Sequence, residues 1–372
     1  MAKAAFSWWH ALRRCATAAV WLGAWMAAAS PSAQPAPGWQ PAPAYHARLT
    51  AASLGLVINT ADPYSVAVGE TYVRRRGIAA DHVLRVRLPV RASLSREEFQ
   101  ALNQAVRAHM PEAVQALALA WVQPYAVECN ALGSALALGL QPGVCADSCA
   151  ATRPSPLAHY SGARTWSVLG VRPVMHIAAR SVVTAQALIE RGIASDHSLA
   201  RADVAPVHAY LAATPDTARN VRERLFPPAG AVSTGPGAAP LDVVRVRSEA
   251  LPPLRRTVLY QTGLARVPPP LGGEWLPGAL ADHLTSFGGQ LDRPVGDGQM
   301  NVLDWIEAGA TASYGTVSEP CNHLQKFPHP QVLMQAYAQG LTALEAYWRS
   351  VLWPAQGVFV GEPLAAPWAS TP

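Results

Sequence analysis

The hydrophobic and polar positions of this chain follow two kinds of pattern that alternate along its length. Short apolar runs, of which Leu54–Asn59 is the clearest, are typical of strands buried on both faces of a sheet. Stretches with helical character come between them: residues 65–76 precede Gly77, and Ser95 and Glu98 form a capping box ahead of a helix over 96–109. We therefore expect strands and helices to alternate along the chain.

The rest of the chain continues this alternation, with Gly340 as a weak point or boundary in its last helix. The alternation predicts an α/β fold with a mainly parallel or mixed sheet and helices on both faces. Further strands are predicted at 83–88, 115–122, 173–179, 241–247, 256–262, 278–286, 309–317 and 357–360, and further helices at 181–191, 301–308 and 331–353.

Two local features bear on the organisation of this sheet. The Pro- and Gly-rich segment 227–240 is predicted to be a linker or a long surface loop, which divides the fold into an N-terminal α/β lobe (46–226) and a C-terminal α/β lobe (241–372). The similar segments 76–82 and 191–197 each place a glycine, Gly77 or Gly192, after a predicted helix. Both glycines are therefore expected to be left-handed C-caps.

The N-terminal residues have the pattern of a secretory signal peptide. Lys3, Arg13 and Arg14 precede an uncharged apolar run over 15–29, and small residues follow it. The run is shorter than the roughly 20 residues that span a bilayer as a helix, so no stable membrane span is expected after cleavage. We predict a signal peptide over 1–29, a Pro/Ala-rich leader over 30–45, and a mature protein that is periplasmic or extracellular.

Cleavage of the predicted signal peptide lowers the net positive charge of the protein. The whole chain has a formal net charge of +5 and an isoelectric point near 9.1, which would suit a nucleic-acid-binding protein. Residues 1–29 carry three of the positive charges and no negative ones, so the mature chain is left at +2, with Lys326 as its only lysine. No basic cluster remains to neutralise several phosphates, and a nucleic-acid partner is excluded.

The mature chain retains four cysteines, Cys129, Cys145, Cys149 and Cys321. An even number in an exported protein favours disulfides, and four cysteines allow three pairings. Cys145 and Cys149 are close enough to pair with each other across a tight loop, or to reach Cys129 and Cys321 separately. A zinc site is disfavoured because the CADSC segment has no matching second pair of ligands, and no metal or cofactor is predicted.

Polar residues that could carry chemistry concentrate in the C-terminal part of the chain, after two predicted strands. Ligands and catalytic groups gather beyond the carboxyl ends of strands in open α/β sheets. The two segments would face one another if their strands were neighbours. The candidate residues are Asp282, His283 and Ser286 after the first strand, and Ser313, Glu319 and Cys321 in and after the second.

Three chemical interpretations of these candidates compete. In the first interpretation, Cys321 is a thiol nucleophile and His283 is its base. The alternative is that the cysteine is in a disulfide and the histidine is a hydrogen-bonded wall residue. Ser313 lies in a segment that approximates a nucleophile elbow, although the first glycine is replaced by a threonine and no helix follows. The acidic and imidazole groups of Asp282, His283, Glu319 and His323 could bind a metal, but their spacing does not demand it.

Several longer motifs resemble an uncharacterised family of exported bacterial proteins that occurs in genomes carrying the exosortase protein-sorting system. The resemblance extends from about Leu54 to Pro367 and implies export, but no assigned activity. The motifs that carry it are WVQPYAVEC at 121–129, PGALADHLTSFGG at 277–289, GATASYGTVSEPC at 309–321, EAYW at 345–348 and FVGEPL at 359–364.

The C-terminal part also resembles, more remotely, gingipain-type and caspase-like peptidases, which have a histidine after one strand and a cysteine after the next. This resemblance implies a caspase-like C-terminal part. It places the cysteine position near Thr285 and Ser286 and the histidine position near Thr262 and Gly263, where this chain has neither residue. Glu362 also replaces the more usual aspartate, so the usual catalytic dyad is missing.

Two functions remain open for the mature protein. One is a non-catalytic binding or assembly factor of the cell envelope, whose partner is a peptide or an envelope polymer. The other is a hydrolase of peptide or ester bonds with a degenerate caspase- or gingipain-like site. We favour the binding factor, because site-like residues are present but no catalytic motif is complete.

Overall fold

The computed structural model of the chain describes residues 39, 43–45, 47–201, 203–232, 234–235, 237–267, 273–294 and 298–370. The predicted signal peptide and most of the predicted leader lie outside these residues. The described strands are β1 (Leu54–Asn59), β2 (Val83–Val86), β3 (Ser93–Leu94), β4 (Ala116–Leu119), β5 (Ala126–Val127), β6 (Asn130–Ala131), β7 (Val174–His176), β8 (Val207–Ala213), β9 (Gly230–Val232), β10 (Leu241–Arg247), β11 (Thr257–Thr262), β12 (Trp275–His283), β13 (Ala312–Thr316) and β14 (Gly357–Gly361).

The α-helices of the described residues lie between these strands, as the alternating pattern predicts. They are α1 (Pro63–Arg76), α2 (Arg96–His109), α3 (Leu132–Leu138), α4 (Gly143–Ala146), α5 (Thr165–Leu169), α6 (Val182–Ser195), α7 (Val302–Ala308), α8 (Pro330–Ala338) and α9 (Ala343–Ser350).

Eleven of the described strands form one large sheet, in the order β2-β1-β4-β7-β14-β13-β12-β11-β8-β10-β9. Most neighbouring pairs are parallel, while β10 with β9 and β13 with β14 are antiparallel. The fold is therefore the α/β class that the sequence predicts, with a mainly parallel, mixed sheet. A small second sheet has the order β3-β5-β6.

Helices pack on both faces of the large sheet, and β1 shows how the sequence achieves this. Side chains of a strand alternate between the two faces. Ile58 faces α1, where Gly69 leaves room for it, and Gly55 faces the opposite side, against Met110 at the end of α2. All six residues of β1 are buried, which explains why the five residues ahead of Asn59 carry no polar side chain instead of alternating.

Local signals place most helix ends correctly. Asp62 accepts a hydrogen bond from the amide of Tyr64 at the start of α1, and Gly77 ends this helix with φ of 66°. Ser95 and Glu98 form the predicted capping box of α2. The predicted helix over 331–353 is interrupted at Gly340, which has φ of 88° and separates α8 from α9.

The expected C-cap at Gly192 is wrong, because α6 continues to Ser195. A Cβ atom on Gly192 would lie 2.4 Å from Cγ of Glu362, so this glycine provides space inside a helix instead of ending one. The Glu362 carboxylate accepts hydrogen bonds from Tyr72 and Arg76 at 2.7–2.9 Å. Gly192 is needed because α6 packs closely against this buried ion pair. The similarity of segments 76–82 and 191–197 gives no indication of this tertiary contact.

The segment 227–240 does not separate two sheets. Strand β8, ahead of it, pairs with β10 and β11, which follow it, and residues 230–232 within it form the edge strand β9. Contacts group the described residues into one compact unit. The predicted N-terminal and C-terminal lobes therefore share one continuous sheet in the described residues.

Candidate functional site

The two predicted segments meet, because β12 and β13 are neighbours in the sheet. The hydroxyl of Thr316 donates to the carbonyl oxygens of Thr285 and Ser286 at 3.2 and 2.9 Å. The loop after β12 is therefore fastened to the end of β13. What decides the chemistry is whether the side chains are free to react.

His283 is a buried wall residue. Its Nδ1 accepts a hydrogen bond from the indole N–H of Trp305 at 2.9 Å, so its Nε2–H donates to the carbonyl oxygen of Met300 at 3.0 Å. Burial lowers the pKa of the imidazole to about 4, and the ring is neutral at physiological pH. Both nitrogens are occupied, which leaves no atom to accept a proton from a nucleophile.

Asp282 belongs to a different face of the sheet. Because it directly precedes His283 in β12, its side chain points to the opposite side and cannot orient the imidazole. Its carboxylate forms a buried ion pair with Arg222 and accepts a hydrogen bond from Nε2 of Gln261 at 2.9 Å. Arg222 also donates to the carbonyl oxygen of Thr262 at 2.7 Å. This group ties the loop around Arg222 to β11 and β12.

The two candidate serines are both buried, and Ser313 does not lie in a nucleophile elbow. Ser313 is completely buried within β13, where it pairs with Val360, and its Oγ has no hydrogen-bond partner among the described residues. An elbow nucleophile requires a sharp turn from a strand into a helix, and Ser313 has regular strand neighbours on both sides. Ser286 is 8% exposed, and its carbonyl oxygen binds Thr316.

The four cysteines form two disulfides, Cys129–Cys145 and Cys149–Cys321. Cys145 and Cys149 thus reach the other two cysteines separately, as one of the predicted alternatives states. Cys321 has no free thiol, which removes the thiol-nucleophile interpretation. The disulfides indicate an oxidising compartment.

Glu319 has a structural contact beside the second disulfide. Its carboxylate accepts a hydrogen bond from the amide of Cys321 at 2.7 Å, where the backbone is left-handed with φ of 58°. Lys326 lies nearby and donates from Nζ to the carbonyl oxygen of Ser148 at 2.6 Å. No group of three or more metal-ligating side chains occurs among the described residues, so the metal interpretation finds no cluster there.

A cleft of about 460 Å³ lies at the carboxyl edge of the sheet, and none of the candidate site residues lines it. We call it the carboxyl-edge cleft, because most of its lining residues follow the ends of β1, β2, β4, β7 and β12. This is the position at which α/β sheets bind ligands. Its lining residues are Asp62, Tyr64, Val90, Val122, Gln123, Ala179, Arg180, Leu291, Asp292, Arg293, Pro294 and Leu303.

The polar groups of the carboxyl-edge cleft are held in place by hydrogen bonds across its walls. Asp292 accepts from the hydroxyl of Tyr125 at 2.7 Å and from Nε2 of Gln123 at 3.0 Å, which joins the loop after β12 to the loop after β4. Arg180 pairs with Asp304 at 2.5 Å. The carboxylate of Asp292 is thereby fixed while remaining exposed to the cleft.

The apolar part of the cleft includes an exposed hydrophobic residue. Val90 lines the cleft and is 52% exposed. Tyr64 positions one wall, since its hydroxyl oxygen accepts from the amide of Ala179 at 2.8 Å, and burial raises its pKa. The cleft thus combines fixed charges of both signs with apolar surface.

The sequence contains a signal for this cleft. Polar residues follow each of the first strands, as in Asp62-Pro63 and Gln123-Pro124, and Arg180 follows β7. Ligands gather beyond the carboxyl ends of strands in α/β sheets, and this holds for these residues as well as for the segment after β12. Only the strand order, which places β1, β4 and β7 side by side, shows that these residues share one edge.

Comparisons of the chain with protein-family models, with curated proteins and with solved structures gave no match. The resemblances to the exported family and to the caspase-like peptidases therefore stay predictions. At the position expected for the peptidase histidine, a Cβ atom on Gly263 would lie 2.2 Å from the carbonyl oxygen of Arg219. A side chain cannot be accommodated there without moving the backbone.

Proposed function

We propose that this protein is an exported, non-catalytic binding factor of the cell envelope that holds a peptide segment in the carboxyl-edge cleft. The proposal rests on a difference in exposure between the predicted site around β12 and β13 and the carboxyl-edge cleft. The predicted nucleophiles and base are buried or covalently occupied, while the cleft has exposed charged and apolar groups.

The lining of the cleft suits a peptide better than a small polar metabolite. A peptide offers amide donors and acceptors along its backbone and apolar side chains at intervals. Asp292 and Gln123 supply acceptor and donor groups, while Val90, Val122 and Leu291 supply apolar contact. Binding sites of this kind combine a few fixed polar groups with mainly apolar walls.

The same lining supports the non-catalytic part of the proposal. It includes no serine, cysteine or histidine among the described residues, and the hydroxyl of Tyr64 is engaged with Ala179. Peptide or ester hydrolysis by a covalent route needs a nucleophile next to a base. Export is supported by the two disulfides and by the predicted signal peptide. No helix in the described part of the chain is long and apolar enough to cross a membrane.

Binding to an array of immobilised random decapeptides tests the proposal. The Val90→Glu variant places a charge on the apolar wall and is expected to weaken the strongest interactions at least about tenfold, which corresponds to about 1.4 kcal/mol. Val168→Glu is the matched control, because Val168 is 59% exposed and does not line the cleft. An equal loss of decapeptide binding in both variants would contradict peptide binding. So would a wild-type protein that binds only glycans, on a parallel glycan array, and no decapeptide.

A fluorescence-quenched peptide library tests the non-catalytic part separately. We expect no cleavage, and no labelling of the purified mature protein by a serine-directed fluorophosphonate or a thiol alkylator. Cleavage by the wild-type protein that disappears in the Val90→Glu variant would overturn this part and assign the cleft to a hydrolase.

A further inference from the structure

A second cleft, of about 370 Å³, lies at the opposite edge of the sheet, and we call it the amino-edge cleft. Its walls come from residues just ahead of β1 and β4 and from the start of α5. The lining residues are Arg48, Thr50, Ser53, Glu112, Ala113, Gln115, Ala163, Arg164 and Ser167. The proposed peptide function does not use any of them.

Two arginines in this cleft have no carboxylate partner among the described residues. The guanidinium of Arg48 donates only to the carbonyl oxygen of Leu49, at 3.3 Å, and the side chain of Arg164 makes no hydrogen bond there. Glu112 lines the same cleft without forming an ion pair with either. Elsewhere arginines such as Arg96 and Arg180 are paired with carboxylates, so these two guanidinium groups remain available to a ligand.

The floor of the cleft is built around the buried amide of Gln115. Its Oε1 accepts from the amides of Trp166 and Ser167 at 3.0 and 3.2 Å, and its Nε2 donates to Oγ of Ser167 at 3.1 Å. Because Oγ of Ser167 accepts this hydrogen bond, its own proton is left to donate into the cleft. The hydroxyl is therefore held as a donor beside the arginines.

Further positive charge lies next to the same wall. The guanidinium carbon of Arg172 is 3.8 Å from the ring centroid of Trp166, and that of Arg107 is 5.9 Å from it. Arg172 donates to the carbonyl oxygens of Val114, Met110 and Pro111 and forms no ion pair among the described residues, although the charge of Glu112 acts on it. Fixed positive charges in a concave, partly desolvated site raise the local concentration of anions.

We propose that the amino-edge cleft binds a sugar-sized ligand that carries a carboxylate or a phosphate. Guanidinium groups recognise both oxyanions through charge-assisted hydrogen bonds. The hydroxyls of Thr50 and Ser167 suit the hydroxyl groups of a sugar ring, whereas the hydroxyl of Ser53 already donates to the carbonyl oxygen of Thr50 at 3.1 Å. The volume admits a body larger than a free inorganic ion. An acidic sugar of an envelope polymer and a soluble sugar phosphate share this chemistry.

Isothermal titration of the mature protein with glucuronic acid, glucose 6-phosphate and glucose tests this proposal and separates the two sources. We expect the charged sugars to bind and glucose not to bind. The better of the two charged ligands identifies the oxyanion, and its affinity is expected to fall as salt is raised.

The double variant Arg48→Gln/Arg164→Gln is expected to weaken the charged ligand at least about tenfold without lowering the unfolding midpoint. The control is Arg87→Gln, which changes an exposed arginine outside both clefts. Absence of binding by both charged sugars, equal binding of glucose, or unchanged affinity in the double variant would overturn the proposal. Decapeptide binding at the other edge is expected to be unaffected, so this proposal and the proposed function fail independently.

Discussion

The predicted site around β12 and β13 and the carboxyl-edge cleft are both rich in polar side chains, but these side chains have different surroundings. At the predicted site Asp282 and His283 are each 1% exposed and bind protein groups. In the cleft Asp292 and Val90 are exposed. Polar residues at the end of a strand can thus connect the interior of a fold as well as form a site, and burial distinguishes the two. We expect the loss of a hydrogen-bonded or ion-paired group in the first region to lower stability, and changes to exposed groups in the second to alter binding.

The largest effect is expected from Arg222→Ala. Removing this arginine leaves the carboxylate of Asp282 buried without its cationic partner. Breaking a buried ion pair by removing one partner costs about 3–5 kcal/mol. Urea unfolding of the variant measures this loss. A loss below about 1 kcal/mol would mean that the ion pair is not the structural connection described.

A pH titration distinguishes a wall histidine from a catalytic base. The pKa of His283 is lowered to about 4, as is that of the buried His176, against about 6.5 in the unfolded chain. Between these values the unfolded state binds more protons, so the free energy of unfolding should fall as pH is lowered from 6.5 to 4. The loss is of the order of 3 kcal/mol per histidine at full protonation.

Nuclear magnetic resonance of the histidine ring protons assigns this effect to the residue. We expect the His283 resonance to show no titration midpoint above about pH 5 in the folded protein. A midpoint near 6.5 would show that the ring reaches solvent, and would return His283 to the list of possible bases.

The variant Tyr64→Phe changes the wall of the cleft and should have a smaller effect. It removes the acceptor of the Ala179 amide, and this hydrogen bond contributes about 1 kcal/mol. Thermal or urea unfolding is the measurement, with Tyr160→Phe as a control outside the cleft. A loss of 3 kcal/mol or more would place Tyr64 with the buried scaffold instead of with the binding surface.

The smallest effect is expected from Ser313→Ala. The hydroxyl of Ser313 is buried and finds no partner in the described part of the chain, so removing it relieves an unsatisfied group and leaves stability unchanged or raised by up to about 1 kcal/mol. Peptide binding should be unchanged as well. A marked loss of any function in this variant would show that Ser313 is not merely a core residue.

Much of the secondary structure could be predicted because its causes are local. The apolar run of β1, the capping box of α2 and the glycine after α1 each act within a few residues of their own position. Gly192 shows the limit of this reasoning. Its sequence context repeats that of Gly77, but the carboxylate of Glu362, far along the chain, occupies the space beside it.

The candidate site was harder to predict because reactivity depends on contacts that are distant in sequence. Cys321 and His283 have the residue types of a catalytic pair, and only their partners Cys149 and Trp305 show that both are occupied. The even number of cysteines had already favoured a disulfide over a free thiol. The cleft was missed because its walls come from strands that are separated along the chain.

The sequence by itself determined the fold class, most helix and strand positions and the presence of disulfides, since these follow from periodicity, capping and residue count. The tertiary structure alone decided the strand order, the pairing of Cys149 with Cys321 and the location of the open clefts. The physical reason is that a polar side chain becomes a site or a scaffold according to what covers it. Only the arrangement of β1, β4, β7 and β12 in one sheet leaves the groups at their carboxyl ends exposed while Asp282 and His283 are enclosed.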